Sequence, residues 1–141
     1  MNELDIRAAE QDCARLITGY CQATDRDDVE AFVALFTTDG EWTSPTGSIV
    51  QGHDQMRQYF AARPGNVVSA HICSNILVEV TGASSATGRS LSTVYRDGAV
   101  DGAPAVLAPP LAIAENQDQF ALTEQGWKIR RRQSRILFAR Q

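Results

Sequence analysis

The stretch YCQATDRDDVEAFVALF, residues 20–36, joins two helical patterns through a cluster of aspartates. Before it, from Leu4 to Thr24, apolar residues recur at steps of three and four, which predicts one long amphipathic helix. Within it, Asp27 and Glu30 have the spacing of a capping box, which predicts a second, short helix with Asp27 as its N-cap. The chain therefore begins as two helices joined by a turn of aspartates.

The next segment alternates turn residues with short apolar runs. Asp39 and Gly40, and the Ser-Pro-Thr-Gly of residues 44–47, are typical of turns. Residues 41–43 and 49–50 predict two short strands. The run 52–63 has apolar residues at helical spacing before a Pro-Gly pair, which predicts a third helix that ends there.

Four long runs rich in β-branched and apolar residues predict four long strands. They are Val67–Val80, Ala86–Tyr95, Leu111–Thr123 and Trp127–Ala139. Helices followed by an antiparallel meander predict an α+β fold, in which a cone-shaped, curved antiparallel sheet wraps around three N-terminal helices. We expect one domain over residues 1–141. The loop 97–110, rich in glycine and proline, fits a long hairpin connection, a lid over a site or a dimer contact.

Composition and charge narrow the class of protein. The 141 residues are 43% hydrophobic and 21% charged, with a net charge of −4 and a pI of about 5.1, which argues against a nucleic-acid partner. The basic run 128–132 is interrupted by an apolar residue and fits one face of a strand. No apolar run approaches the ~20 residues that span a bilayer, and the N-terminus lacks the pattern of a signal peptide. Three cysteines without Cys-x-x-Cys spacing favour the reducing cytoplasm.

Asp25 is the first residue that could carry chemistry. It lies four residues after Cys21 and eight after Ile17, so an unbroken helix places it beside the apolar stripe. A carboxylate there is costly to bury unless another group pairs with it. Asp25 could also be solvated, or could cap the turn beside Asp27 and Asp28. The pattern alone leaves these alternatives open.

His71 is the second candidate, and it lies in the middle of an apolar strand. A lone histidine there could be a core residue or a catalytic base. Strict alternation places it on the face of Leu77 and opposite Val78 and Val80. A bulge near Asn75 could reset that alternation, so the sequence leaves the facing of His71 open.

Five short motifs follow one another along the chain. The first is residues 20–36, and the others are DGEW (39–42), GHDQM (52–56), HICSNILVEV (71–80) and GWKIRRR (126–132). Together they cover nearly the whole chain. In this order they resemble the SnoaL-like branch of the nuclear transport factor 2-like superfamily.

The resemblance implies a site and an activity. Members such as scytalone dehydratase, bile-acid dehydratases and hexachlorocyclohexane dehydrochlorinase pair an aspartate at the end of the first helix with a histidine on the first long strand. The matching residues here are Asp25 and His71, which implies a general-base dyad in an apolar pocket. The implied protein is a cofactor-free lyase or isomerase, dehydratase-like, that acts on a small, largely apolar carbonyl or polycyclic compound.

Alternatives with the same fold remain. A polyketide cyclase or a ketosteroid-type isomerase would keep the dyad and change only the substrate. A non-catalytic carrier or assembly subunit would keep only the fold. Because members usually pair or trimerise through the outer face of the sheet, the resemblance also implies a homodimer or homotrimer.

Further site residues are expected, one of them from the same resemblance. Arg132 matches an arginine that helps to hold the leaving group in the dehydrochlorinase-like members; a surface position beside Arg130 and Arg131 is the alternative. Pocket lining, with the core as the alternative, is expected for Trp42, Phe60, Asn75, Tyr95 and Asn116. Cys73, two residues after His71, could share its face, and pocket lining is expected for it rather than a nucleophilic role, because no base or oxyanion site for a thiol is evident. No second pocket histidine is evident, since His53 suits the surface, and Tyr20 suits the core. We expect no metal and no nucleotide cofactor, because no ligand spacing or phosphate-binding motif occurs.

Overall fold

A computed structural model of the chain describes residues 1–44 and 46–141. Over these residues the elements are, in order, α1 (Glu3–Asp25), α2 (Val29–Ala34), β1 (Phe36–Thr43), β2 (Ile49–Gln51), α3 (Gly52–Ala61), β3 (Val67–Gly82), β4 (Ser85–Gly98), β5 (Ala112–Thr123) and β6 (Gly126–Ala139). The strands form one sheet in the order β2-β1-β6-β5-β4-β3. The β1–β6 pair is parallel and the other pairs are antiparallel. The predicted α+β class is confirmed.

The helix α1 carries the apolar stripe expected from the sequence. It begins with a capping box, in which the Asp5 backbone N–H donates to Asn2 Oδ1 at 2.9 Å and the Asn2 N–H donates to Asp5 Oδ2 at 3.1 Å. Its buried stripe faces the sheet at Cys13, Ile17 and Tyr20. None of the helices in the described part of the chain combines the length and apolar character that a membrane span needs.

The turn after α1 differs from the expectation at one residue. Asp28, not Asp27, is the N-cap of α2, and its side chain accepts a hydrogen bond from the Ala31 N–H at 3.1 Å. Asp27 has φ of +54°, the left-handed conformation that ends α1, whereas an N-cap needs extended backbone. With aspartates at both positions, the sequence pattern could not separate them.

The segment after α2 also differs from the expectation. Asp39 and Gly40, predicted as a turn, lie inside β1. The pairing of β1 with β6 shifts register between Phe36 and Glu41, so an irregularity within the strand accounts for the turn-like residues. The predicted turn at 44–47 includes Pro45, which lies outside the described residues.

The core lies between the three helices and the inner face of the sheet. An aromatic cluster forms its centre, with the Phe32 ring centroid 4.6 Å from that of Phe60 and 5.1 Å from that of Trp42. Phe120 and Ile129 close the core from the sheet side. This cluster fixes the end of α1 against the sheet, which is where Asp25 lies.

A bulge in β3 settles which residues of that strand face inward. Asn75 has φ of +53°, and the register with β4 shifts between Ser74 and Leu77. His71 is partly buried before the bulge, and Val78 is buried after it, although strict alternation would place these two residues on opposite faces. The extra residue therefore turns His71 toward the helices together with the rest of the apolar face.

Candidate active site

Asp25 and His71 are in direct contact. Asp25 is the last residue of α1, and its Oδ1 lies 2.5 Å from His71 Nδ1. The same oxygen accepts from the Ser69 hydroxyl at 2.9 Å, and Oδ2 accepts from the backbone N–H of His71 at 2.8 Å. An ionised carboxylate, which only accepts hydrogen bonds, suits three donors. The strand thus offsets much of the cost of partly burying Asp25.

This contact sets which ring nitrogen of His71 is available. Nδ1 must carry the proton that it shares with Asp25, so Nε2 holds a free lone pair. Within the described residues Nε2 has no hydrogen-bond partner, while the His71 side chain is only 13% exposed and lines a cavity. Nε2 is therefore placed to accept a proton from a molecule in that cavity.

The cavity has a volume of about 110 Å³. One part of its wall is apolar, and another carries hydroxyl, amide and guanidinium groups. The apolar and aromatic residues are Tyr20, Trp42, Tyr59, Val94, Leu111, Ala112, Ala114 and Ile136. The polar residues are Thr24, Thr43, Arg63, His71, Ser92, Arg96, Asn116 and Ser134. Such a wall suits an apolar molecule with a few polar groups.

A second, more open groove of about 660 Å³ lies elsewhere on the molecule and contains neither member of the dyad. It is lined in part by Lys128 and His53. His53, expected at the surface, is partly buried, and its Nε2 lies 3.1 Å from the carbonyl oxygen of Phe36. We assign the candidate site to the smaller cavity, because the paired base lies there.

The Tyr20 ring forms one wall beside the base. Its hydroxyl accepts a hydrogen bond from Trp42 Nε1–H at 3.0 Å, and its ring packs edge-on against His71 at a centroid distance of 6.4 Å. Burial raises the pKa of Tyr20 to about 12, although the nearby Arg132 charge opposes this. Tyr20 is therefore neutral at physiological pH and contributes both a core contact and part of the cavity wall.

A polar network on β4, β5 and β6 forms another wall. Asn116 Nδ2 donates to the Ser92 hydroxyl at 2.7 Å and to the Ser90 hydroxyl at 3.3 Å, and its Oδ1 accepts from the Ser134 hydroxyl at 2.8 Å. Because Ser92 accepts from Asn116, its own O–H is free to donate to a ligand oxygen. Asn116 was expected in the cavity wall from the sequence, whereas the serines were not, because small polar residues on inward positions of neighbouring strands carry no local signal.

Arg132 lies behind the cavity wall rather than in it, which corrects the expected substrate contact. It is fully buried, with its guanidinium 4.0 Å from the Tyr20 ring centroid and its Nη1 3.5 Å from Asp118 Oδ2. Asp118 and Arg132 are paired in register between β5 and β6. Burial raises the pKa of Asp118, and the Arg132 charge opposes this. Asp118 was not predicted as the partner of Arg132, because their pairing depends on the register of β5 and β6.

Four other expected pocket residues also lie outside the cavity wall. Phe60 is buried in the aromatic cluster, and Asn75 is exposed at the bulge. Tyr95 lies between two residues that line the cavity, so strand alternation directs it to the outer face. Cys73 lies beyond the dyad on β3, where its thiol meets that of Cys21. Of the expected lining residues outside the dyad, the cavity thus holds Trp42 and Asn116.

The thiol pair predicts selective alkylation of Cys73. Hydrogen bonds, first from Cys21 and then from Ser90, lower the pKa of Cys73 to about 6, while the same contact and burial raise that of Cys21. Burial raises the pKa of Cys13 to about 12. We expect iodoacetamide at pH 7 to modify Cys73 first, because the thiolate is the nucleophile. Peptide mass spectrometry across pH 5–9 would locate the rise in rate near pH 6; a rise near the ordinary ~8.5 of a free thiol would contradict the assignment.

In the part of the chain that the structure describes, no three side chains of histidine, cysteine, aspartate or glutamate come together as a metal site would require. The groups that the cavity presents to a ligand include the His71 ring, the hydroxyls around Asn116 and two guanidinium groups.

Comparisons with solved structures agree with the topology. A protein of unknown function from Mycobacterium tuberculosis is 28% identical, with a TM-score of 0.72 over 87% of this chain and 72% of that chain. A provisionally assigned scytalone dehydratase from Novosphingobium aromaticivorans is 19% identical, with a TM-score of 0.79 over 97% and 90% of the two chains. A type 2 hexachlorocyclohexane dehydrochlorinase is 17% identical, with a TM-score of 0.74 over 94% and 85%. At these identities the last two share the fold with this chain.

No curated protein sequence matches this chain. A family model does match it, that of the SnoaL-like domain, over residues 6–133. That range runs from the first turns of α1 into β6 and includes Asp25 and His71. The chain therefore belongs to the SnoaL-like family, within the nuclear transport factor 2-like superfamily.

Proposed function

We propose that the chain is a cofactor-free enzyme that removes a proton from a carbon next to a carbonyl group in a small, largely apolar compound. His71 is the base, and Asp25 holds its ring and stabilises the imidazolium that forms. The observation that carries this proposal is the free Nε2 of His71 in the cavity, with Nδ1 held 2.5 Å from Asp25 Oδ1.

The reaction that we favour is elimination, as in a dehydratase. His71 takes the proton, and the C–H electron pair forms a new carbon–carbon double bond as the C–O bond to a hydroxyl on the adjacent carbon breaks. The imidazolium then returns its proton to the departing hydroxide, which leaves as water. The free O–H of Ser92 would donate to the carbonyl oxygen as negative charge develops there. No electron acceptor is needed.

An isomerase or a cyclase would use the same base. In an isomerase, His71 returns its proton to a different carbon of the substrate. In a cyclase, the carbanion attacks a second carbonyl of the same molecule, and the imidazolium returns its proton to the alkoxide that forms. A non-catalytic carrier would not need a histidine within ~3.2 Å, hydrogen-bond distance, of a carboxylate that orients it. The 2.5 Å contact beside a cavity supports an enzyme over a carrier.

The size of the cavity favours a compact substrate. Ligand pockets commonly have volumes of ~300–1,000 Å³. At about 110 Å³, this one holds about one ring, and because it is partly open a second ring can extend toward its mouth, whereas a steroid would lie mostly outside it. The substrate that we propose is therefore a small cyclic or aromatic carbonyl compound, at the compact end of the class that the sequence implies.

Proton abstraction can be tested before the natural substrate is known. The probe is 2-tetralone, a two-ring ketone, dissolved in D₂O with and without the protein. We expect the protein to accelerate the exchange of the protons next to the carbonyl for deuterium, as followed by ¹H NMR. Exchange at the buffer rate at every protein concentration would contradict proton abstraction from compounds of this class.

We also propose that the chain pairs with a second copy of itself through the outer face of the sheet. An aligned row crosses four strands on that face, with Ile72 opposite Thr93, Thr93 opposite Ile113 and Ile113 opposite Phe138. Ile72 and Phe138 are 56% and 67% exposed, and apolar surface that is exposed across a sheet marks an interaction site. Sedimentation velocity at micromolar concentration should give the mass of a dimer, and a single monomeric species would contradict the proposal.

A further inference from the structure

Two arginines, Arg63 and Arg96, lie in the wall of the cavity that His71 lines. Arg63 follows the C-terminus of α3, and its side chain is only 11% exposed, stacked with its guanidinium 4.7 Å from the Phe60 ring centroid. Arg96 is partly buried on β4. Neither residue takes part in the proton transfer proposed above, so these two cations are available to a ligand in the cavity.

The register of the sheet places Arg96 close to the dyad. It pairs with Ser69, the residue whose hydroxyl donates to Asp25, while Val94 pairs with His71. Val94 and Arg96 both line the cavity, on the same face of β4. The Cα atom of Arg96 therefore lies ~7 Å along the strand from that of Val94, which is opposite the base.

The protein neutralises these two cations only in part. Arg63 Nη1 lies 3.7 Å from Asp27 Oδ1, a long contact to a carboxylate that is 69% exposed. The guanidinium of Arg96 has no hydrogen-bond or ion-pair partner in residues 1–44 and 46–141. The nearby acids are already engaged, since Asp25 binds His71, and Asp97 lies 3.3 Å from Arg140. The cavity wall therefore has an excess of positive charge.

We propose that Arg63 and Arg96 bind a carboxylate group of the substrate. A guanidinium binds a carboxylate through paired hydrogen bonds, and such charged contacts are strongest where water is partly excluded. The apolar wall would hold the body of the same molecule. The ligand class is thus a compact carbonyl compound of one or two rings that carries a carboxylate. That the bound compound is also the substrate rests on the proposed function, whereas the binding of a carboxylate by the two arginines does not require His71.

Isothermal titration calorimetry with 1-naphthoate and 1-naphthamide tests the inference. The two probes share a ring system and differ in charge, and in neither does the carbon next to the carbonyl carry a hydrogen that the base could remove. We expect the wild-type protein to bind naphthoate about tenfold more tightly than naphthamide, the effect of one charged hydrogen bond. Arg63→Gln and Arg96→Gln should each weaken naphthoate binding several-fold and change naphthamide binding less than twofold.

Two controls separate the arginine pair from other effects. Arg89→Gln makes the same change of charge on β4 at an exposed position outside the cavity, and it should leave both affinities unchanged. His71→Ala should keep the preference for naphthoate, so a failure of the dyad and a failure of this inference give different results. Equal affinities for the two probes, or no binding of either at millimolar concentration, would overturn the inference. The inference would also be overturned if Arg89→Gln weakened naphthoate binding as much as Arg96→Gln.

Discussion

Replacement of His71 by alanine is expected to slow the deuterium exchange of 2-tetralone to near the buffer rate. General-base catalysis by a positioned side chain is worth ~10²–10⁴ in rate, and this variant removes the base entirely. The alanine side chain leaves a void at a partly buried position, so circular dichroism and thermal unfolding should accompany the rate measurement. A folded His71→Ala protein with full activity would overturn the assignment of the base.

The chain supplies a matched control, because it has only one other histidine. His53 lies in the separate groove, where it contacts the backbone carbonyl of Phe36. We expect His53→Ala to keep the exchange rate of the wild-type protein. Loss of exchange in both variants would point to a general effect of the substitutions rather than to the base.

Asp25→Asn tests the orienting role within the same experiment. The amide is close in size to the carboxylate but has no charge to stabilise the imidazolium, and its NH₂ group can hold His71 in the wrong tautomer. We expect a loss of exchange approaching that of His71→Ala in a protein that still folds. Ser69→Ala removes only one of the three donors to Asp25, so it should have a much smaller effect.

Separation of the buried pair of Arg132 and Asp118 is expected to cause the largest loss of stability. Both side chains are fully buried, with Arg132 Nη1 3.5 Å from Asp118 Oδ2. Breaking such a pair by removing one partner typically costs ~3–5 kcal/mol, because the other charge stays buried without compensation. We expect Arg132→Met to lower the free energy of unfolding in urea by that amount.

The double variant Arg132→Met, Asp118→Leu tests the cause. Replacement of both charges by apolar groups should restore most of the lost stability, because no unpaired charge remains. As a control for the loss of an arginine, Arg131→Met removes a cation whose Nε lies 3.1 Å from Glu41 Oε2 near the surface. That contact is expected to contribute under ~1 kcal/mol. A double variant as unstable as Arg132→Met would contradict the charge-based explanation.

The loss of unfolding free energy in Arg132→Met is expected to depend on pH in one direction. Burial raises the pKa of Asp118 in the folded protein, and the variant removes the opposing Arg132 charge. A carboxyl whose folded pKa is raised favours folding most below its unfolded pKa, near ~4, and that contribution is lost as the pH rises. The penalty should therefore shrink between pH 7 and pH 4. A loss of stability that becomes larger as the pH falls would show that the unpaired Asp118 carboxylate is not its cause.

The helices could be predicted from the sequence because their signals are local. The apolar stripe of α1 and the Pro-Gly pair after α3 each depend on residues within a few turns of one another. Local patterns did not give the right residue where two neighbouring residues fit the same role. Asp27 and Asp28 both fit an N-cap, and only the conformation imposed by the packing of α1 against α2 assigned the role to Asp28.

The candidate site could be predicted only in part. Periodicity placed Asp25 beside the apolar stripe, but it left His71 ambiguous, and the pairing of the two was expected from family resemblance alone. Their contact depends on the bulge at Asn75, which sets the face that His71 presents. Arg132 lies behind the cavity wall and not in it, next to Asp118. The two residues are opposite each other because of the register of β5 and β6, which the sequence does not show.

The sequence by itself determined the order of helices and strands, the family, and an aspartate at the inner end of α1. The tertiary structure alone decided which polar groups reach the cavity. The physical reason is range: helix periodicity and capping act over a few residues, whereas the contact between Asp25 and His71 joins positions 46 residues apart. Which side chains meet there depends on bulges and strand register, and a shift of one residue moves a side chain to the other face of the sheet.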